Sequence, residues 1–261
     1  MGSFETILVD IDGRGVATIT LNRPEKKNSL SAQMIADLTA VALDLPNNEK
    51  IRVAVLRGAG DTFCAGGDLG WMRQQIEANR EGRMREARKL ANMLRSLNEM
   101  RIPLVGAVHG GAYGGGVGLA CVCDVVIAEE NSKFGFTETR LGLIPATISP
   151  YIMARMGEGP ARRVLMSGRV FSAEEARVLN IVADHVSRTE FYARIEAEVS
   201  PYLVVAPKAV GASKALARML GPKIDDTVID ETIKLLCDTW EGREAQEGID
   251  AFINKQKPHW V

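Results

Sequence analysis

The sequence predicts an α/β protein, a layered and largely parallel sheet with helices between its strands, followed by a helical C-terminal region. Three observations carry this. Short apolar runs at residues 16–21, 51–56, 105–108 and 125–128 read as strands and alternate with stretches of helical spacing. A glycine-rich turn, Gly114-Gly115-Gly116-Val117-Gly118, joins a strand to an apolar helix. Beyond Ser149 strand signals nearly vanish and helical ones follow one another. The expected organisation is a core over residues 1–200 carrying the site, and a helical region over 201–261 serving oligomerisation.

The elements follow in order. Residues 4–9 and 16–21 flank Asp12-Gly13-Arg14-Gly15, a strand–turn–strand pattern that Asn22-Arg23-Pro24 ends. Ser31 is placed to cap a helix with Ile35, Leu38, Val41 and Leu45 at helical spacing. The strand at 51–56 is closed by Gly58-Ala59-Gly60. Met84, Ala87, Leu90, Leu94 and Leu97 mark one face of a long helix; Arg83, Arg85, Arg88 and Arg95 mark the other, read as a solvated face. After Ser149, residues 160–166, 173–179, 190–203, 207–220 and 225–251 read as helices. In the last of these, Ile229, Ile233, Leu236 and Trp240 form an apolar seam. It must pack on the chain's own core or on another subunit, and the reading favours a subunit contact.

Composition narrows the function. The 261 residues are 46% hydrophobic and 25% charged with a formal net charge of −1, which gives no bulk attraction to nucleic acid or membrane. No apolar run approaches the roughly 20 residues that span a bilayer, and residues 1–10 lack the basic and apolar regions of a signal peptide. Cys64, Cys121, Cys123 and Cys237 show no Cys-x-x-Cys spacing, so the expectation is reduced thiols and a cytoplasmic location. The three histidines, His109, His185 and His259, form no HExxH pattern, and no metal site is expected.

Three segments could carry chemistry: residues 63–69, the glycine turn, and residues 134–145, which contain Glu138. Adjacent glycines remove every β-carbon where backbone must come close to something. N–H groups at a helix start are fixed donors for an anion or a developing oxyanion. Two such turns plus one carboxylate suit a reaction that builds negative charge on a carbonyl oxygen while a proton moves nearby. In other enzymes, losing one oxyanion donor costs about 3–4 kcal/mol. Glu138 could move the proton if its surroundings lift its pKa toward neutrality. By spacing alone, a glycine turn is more often structural and a lone glutamate more often at the surface.

Taken together, residues 63–68, 102–124 and 134–145 resemble the enoyl-CoA hydratase/isomerase (crotonase) family, with agreement at Asn22-Arg23-Pro24, Asn28-Ser29-Leu30 and the helical tail. The resemblance implies a spiral of ββα units followed by a helical trimerisation region. It puts oxyanion donors on the backbone N–H groups of Gly67 and Gly115, beside Gly114. It puts the acyl-CoA-binding turn on Ala65, Gly66, Asp68 and Leu69, phosphate-binding cations on Arg23 and Lys26, with Lys27 nearby, and acyl-pocket walls on Trp71 and Met72. Glu138 falls on the second of the two glutamates that hydratases use, and Gly118 stands where the first would be.

That departure leaves one acid/base, which suits an isomerase that shifts a double bond, or a hydratase in which Glu138 serves as both base and acid. A narrower resemblance, through residues 66–72, 115–119, 123–124, 141–150 and 161–163, is to bacterial methylglutaconyl-CoA and carboxygeranoyl-CoA hydratases of leucine and acyclic terpenoid breakdown. It implies hydration of a branched or carboxylated 2-enoyl-CoA, with Arg140 as the cation for a second carboxylate. A surface ion pair is the competing role for Arg140. The resemblance further implies an acyl-CoA substrate, no tight cofactor, no metal, no membrane partner, and a homotrimer or dimer of trimers. A non-catalytic CoA- or RNA-binding relative is the remote alternative, through Arg80, Arg83, Arg85 and Arg88. His109 reads as a packed, hydrogen-bonded side chain, and Asp124 as a structural partner at a strand start.

Overall fold

A computed structural model describes residues 4–261; residues 1–3, part of the stretch read for a signal peptide, lie outside the described residues. The chain opens with β1 (Ile7–Ile11) and β2 (Val16–Leu21), paired antiparallel around the Asp12–Gly15 turn. The first strand starts later than its sequence suggests. The N–H and hydroxyl of Thr6 both donate to Asp37 Oδ2, at 2.8 and 2.7 Å, which ties its N–H to the first helix while its carbonyl still accepts from Asn22 N–H. That helix, α1 (Ala32–Asp44), is capped as expected by Ser31, whose hydroxyl accepts from Met34 N–H at 3.2 Å. It buries Ile35, Leu38 and Val41.

Next come β3 (Val53–Gly58), α2 (Leu69–Glu77), α3 (Arg80–Glu99), β4 (Leu104–Val108), β5 (Gly111–Tyr113), α4 (Gly115–Val122), β6 (Val125–Glu129) and β7 (Lys133–Gly135). The second half holds α5 (Ser149–Met156), α6 (Glu158–Leu165), β8 (Val170–Ser172), α7 (Ala173–Val178), β9 (Asp184–Val186), α8 (Phe191–Val199), α9 (Pro207–Leu220), α10 (Asp226–Trp240) and α11 (Arg243–Ile253). Six strands form one sheet in the order β1-β2-β3-β4-β6-β9, parallel from β2 onward; β5, β7 and β8 form a second, small sheet. Among the described residues no helix is long and apolar enough to cross a membrane.

Both faces of the large sheet are covered, as parallel sheets require. On one face Val53, Val105 and Ile127 meet Phe191, Ile195 and Val199 of α8. The other face joins a core that includes Leu38 of α1, Leu94 of α3, Leu119 of α4 and Ile152 of α5. The strands β5, β7, β8 and β9 are absent from the sequence reading because each is three residues long, too short to show a period.

Three expectations need correction. The long helix read over 225–251 breaks at Gly242, where the chain turns between α10 and α11. The seam of Ile229, Ile233, Leu236 and Trp240 packs within the chain, against Ala87 and Ala91 of α3 and Ala245 and Ile249 of α11, not on a subunit. The arginine face of α3 is not merely solvated. Arg80 pairs with Asp238 and Glu241 at 2.7 and 2.8 Å, Arg88 with Asp230, and Arg95 with Asp226 at 2.6 Å. Arg83 donates to the carbonyls of Gln75 and Ile76. Each exposed pair is weak, but together they fasten α3 to α10 and engage Arg80, Arg83 and Arg88, three of the four cations that an RNA-binding role would use.

Candidate active site

The turn after β5 is built by glycine. Gly114 adopts φ +48°, ψ −117°, and α4 starts at Gly115. A β-carbon on Gly116 would run into the carbonyl of Cys64, and one on Gly115 would stand 2.8 Å from Leu30 Cδ1. The second turn, residues 64–68, lies alongside: Cys64 bridges to Ala112, and Gly67 to Leu30. Asp68 then caps α2, its Oδ1 accepting from Gly70 and Trp71 N–H at 2.8 and 3.2 Å. Its Oδ2 takes Arg23 Nη2 at 3.0 Å and the Ser29 hydroxyl at 3.2 Å. Burial acts to raise the pKa of Asp68, but the bonds from Trp71, Arg23 and Gly70 outweigh it and hold the carboxyl below its ordinary value.

These turns line a cleft of about 900 Å³. Neither the N–H of Gly67 nor that of Gly115 is taken by another group among the described residues. Glu138 lines the same cleft from a 3-10 turn, Glu138–Leu141, closed by Gly142 at φ +68°. Its Oε2 has no hydrogen-bond partner and no solvent access. Its Oε1 lies 2.9 Å from where a β-carbon on Gly114 would stand. Burial pushes the carboxyl up to about 7, opposed only by a hydrogen bond from its own N–H. Among acids lining the cleft, Asp68 is spent on its cap and on Arg23, and Glu25 is exposed. That leaves Glu138 as the desolvated one, with its Oε2 unpartnered.

Most residues singled out in the sequence meet here. Arg23, Lys26, Ala65, Gly66, Gly67, Asp68, Leu69, Trp71, Gly114, Gly115 and Glu138 all line the cleft. Two do not. Arg140 turns away and lies over Gly168, whose β-carbon would stand 2.9 Å from Arg140 Cγ. Gly118 is buried in α4 and does not line the cleft; a β-carbon there would collide with Cγ2 of Ile148. Ile148 itself lines the cleft and fills the space a side chain at 118 would enter. Sequence spacing misses Leu90, Leu143, Ile144, Ile148, Leu236 and Trp240, which give the cleft an uncharged wall drawn from three distant parts of the chain. The seam in α10 held the only signal for two of them.

Of the other residues weighed, His109 holds Gly60 O at 3.0 Å in a surface hollow away from the cleft. Asp124 accepts from Leu104 N–H and from Lys214, each at 2.7 Å, as a structural partner. The four cysteines are buried free thiols. Among the described residues no group of three or more His, Cys, Asp or Glu could hold a metal ion. A larger cavity, about 1420 Å³, lies against α9. Its cations are paired: Lys214 to Asp124, Arg155 to three carbonyls at the end of α4, Arg218 to Glu99 and Lys223 to Asp225. Tyr151, whose buried hydroxyl has no hydrogen-bond partner, also lines it.

Two unengaged backbone donors and one desolvated carboxyl on one cleft are the parts needed to stabilise an oxyanion while moving a proton. Comparison with known proteins points the same way. The profile of the family described as enoyl-CoA hydratase/isomerase matches residues 12–261. An (E)-benzylidenesuccinyl-CoA hydratase of Thauera aromatica is 31% identical, over 93% of this chain and 94% of its own. A short-chain-enoyl-CoA hydratase of Clostridium acetobutylicum is 28% identical, over 96% and 95%. The crystal structure of an enoyl-CoA hydratase from Shewanella pealeana superposes with a TM-score of 0.81 at 32% identity, covering 98% of this chain and 96% of that one.

Proposed function

The chain belongs to the enoyl-CoA hydratase/isomerase family, and we propose that it hydrates a branched 2-enoyl-CoA with Glu138 as its single acid/base. The carrying observation is Glu138 Oε2, unpartnered and without solvent access, on a carboxyl beside Gly114 that lines the cleft with Gly115 and Gly67. The thioester oxygen accepts from the N–H groups of Gly67 and Gly115. Glu138 takes a proton from water as the water oxygen bonds to C3, and charge moves onto the thioester oxygen as an enolate. The enolate then collapses and Glu138 returns the proton to C2. One water is consumed, Glu138 ends as it began, and no metal or redox step enters. A pKa near 7 suits a group that must both take and give a proton at neutral pH.

The acyl group is read from the cleft wall. Leu90, Leu143, Ile144, Ile148, Leu236 and Trp240 suit a branched hydrocarbon such as those of leucine or terpenoid breakdown. A second carboxylate, as in the benzylidenesuccinyl substrate named for one relative, would need a cation there. Arg140 does not serve, since it lies against Gly168. Lys26 and the Asp68-paired Arg23 border the cleft and suit the CoA phosphates. We further propose a homotrimer or dimer of trimers, supported by exposed Val204, Leu216, Met219 and Leu220 on and before α9. The buried free thiols suit the reducing cytoplasm.

The packing of Ile148 on Gly118 favours a second reading, an enoyl-CoA isomerase. With one carboxylate, removing a proton from C2 and returning it at C4 is as feasible as activating water. Product analysis separates the two. A 3-hydroxyacyl-CoA formed from a β-methyl-branched 2-enoyl-CoA supports hydration; migration of a 3-ene to the 2-ene with no hydroxy product rejects it.

A further inference from the structure

The turn that carries Glu138 is braced from outside by the C-terminal helix. Gly142 closes that turn with its N–H directed at the carbonyls of Glu138 and Thr139, and Leu143 N–H donates to Glu138 O at 3.0 Å. A β-carbon on Gly142 would collide with the carbonyl of Glu244 and stand 2.6 Å from Ala245 N, in the first turn of α11. From the helix side, a β-carbon on Gly248 would stand 2.6, 2.7 and 2.9 Å from the carbonyl carbon, oxygen and α-carbon of Leu141. Residues 244, 245 and 248 share one face of a helix. Two backbones therefore touch with no side chain between them, one glycine on each.

On its inner side the same turn presses the Glu138 carboxyl against Gly114. The carboxyl is held between two glycine contacts, and the helix that makes the outer one also sends Phe252 and Ile253 to the cleft wall. We infer that Gly248 is a positioning residue for Glu138, setting through the backbone of Leu141 where the carboxyl sits in the cleft. The role rests on Glu138 being the acid/base. The charged groups on the surrounding elements are Arg140 on the same turn, Arg243, Glu244, Glu247 and Asp250 on α11, and the Arg23–Asp68 pair across the cleft. None of them contributes to the raised pKa of Glu138, which comes from burial.

Gly248→Ala puts a methyl group into Leu141 and lifts α11 from the turn. A displacement approaching 1 Å lowers kcat by roughly tenfold to a hundredfold, with KM within about threefold. Water then reaches the carboxyl, so the midpoint of the kcat/KM pH profile falls by about half a unit or more. Ile229→Ala, which loosens the α10 packing without touching the turn, lowers the melting temperature and leaves that midpoint in place. A Gly248→Ala protein with wild-type kcat and midpoint overturns the inference, as do changes no larger than those of Ile229→Ala. If the wild type turns over no enoyl-CoA, the functional reading falls, and stability against pH still tests Gly248. The decline in stability between about pH 4.5 and about 7 that Glu138→Gln abolishes shrinks in Gly248→Ala; an undiminished decline overturns the role. Should Gly248→Ala fail to fold, Ala245→Gly loosens the first turn of α11 without adding an atom. A lowered midpoint there supports the role and an unchanged one overturns it.

Discussion

Glu138 Oε1 occupies space that only a glycine at position 114 leaves open, 2.9 Å from where a β-carbon on Gly114 would stand. The glycine turn and the acid are therefore one device. The turn exposes the Gly115 N–H to the cleft and makes room for the carboxyl in the same stroke.

Gly114→Ala strains this device twice, by the contact and by a backbone at φ +48°, ψ −117° that an alanine disfavours. Such strain costs about 1–3 kcal/mol, and the displaced carboxyl lowers kcat by about tenfold or more. Thermal unfolding and steady-state kinetics on one preparation check both. A variant with wild-type kcat contradicts the coupling.

Glu138 should leave a mark on stability. Its folded pKa, about 7, lies above the 4.5 ordinary for a glutamate. A raised carboxyl favours the folded state below about pH 4.5, and that contribution is lost as pH climbs toward 7. The swing is on the order of 2–3 kcal/mol. Denaturant titrations of wild type and Glu138→Gln at several pH values should diverge over that window, with the Gln variant flatter. Parallel curves would show that the carboxyl is ordinary.

Gly118 and Ile148 should behave as one unit. Any side chain at 118 meets Ile148 Cγ2, so Gly118→Ala destabilises by about 1–3 kcal/mol through overpacking. In an Ile148→Ala background the same change is tolerated or stabilising, since the cavity accepts the methyl and alanine favours the helix. A double-mutant cycle in urea should return a favourable coupling of about 1 kcal/mol or more. Additive effects contradict the contact.

Asp68 joins α2 to the mouth of the cleft. Asp68→Ala removes a helix cap and leaves Arg23 without its acid. The expected loss is about 1–3 kcal/mol, with a raised KM for acyl-CoA as the turn loosens. Asp68→Asn keeps an oxygen for the cap and should lose less. Equal losses for both variants would show that the cap contributes nothing.

The strand–turn–helix around Gly114 is legible in sequence because three glycines between apolar runs have few other uses, and Ser31 is legible because capping is local. Glu138 is visible as a residue, but its desolvation depends on Gly114 and on α11, far apart in the chain. Arg140 lies close to Glu138 in sequence, yet the 3-10 turn points it toward Gly168; proximity along a chain says little about direction on a tight turn. The α10 seam shows the same limit: its period marks a buried face, while the partner, α3, is fixed by helix docking and by arginines that look solvated when read alone. Three-residue strands such as β9 leave no period to read.

The most direct test compares wild type with Glu138→Gln on a β-methyl-branched 2-enoyl-CoA, following uptake of one water by mass. The wild type should yield the 3-hydroxyacyl-CoA, with kcat/KM rising through about pH 7, and Glu138→Gln should be slower by roughly a thousandfold with acyl-CoA affinity retained. A Gln variant that hydrates at the wild-type rate would contradict the assignment of Glu138 as the sole acid/base.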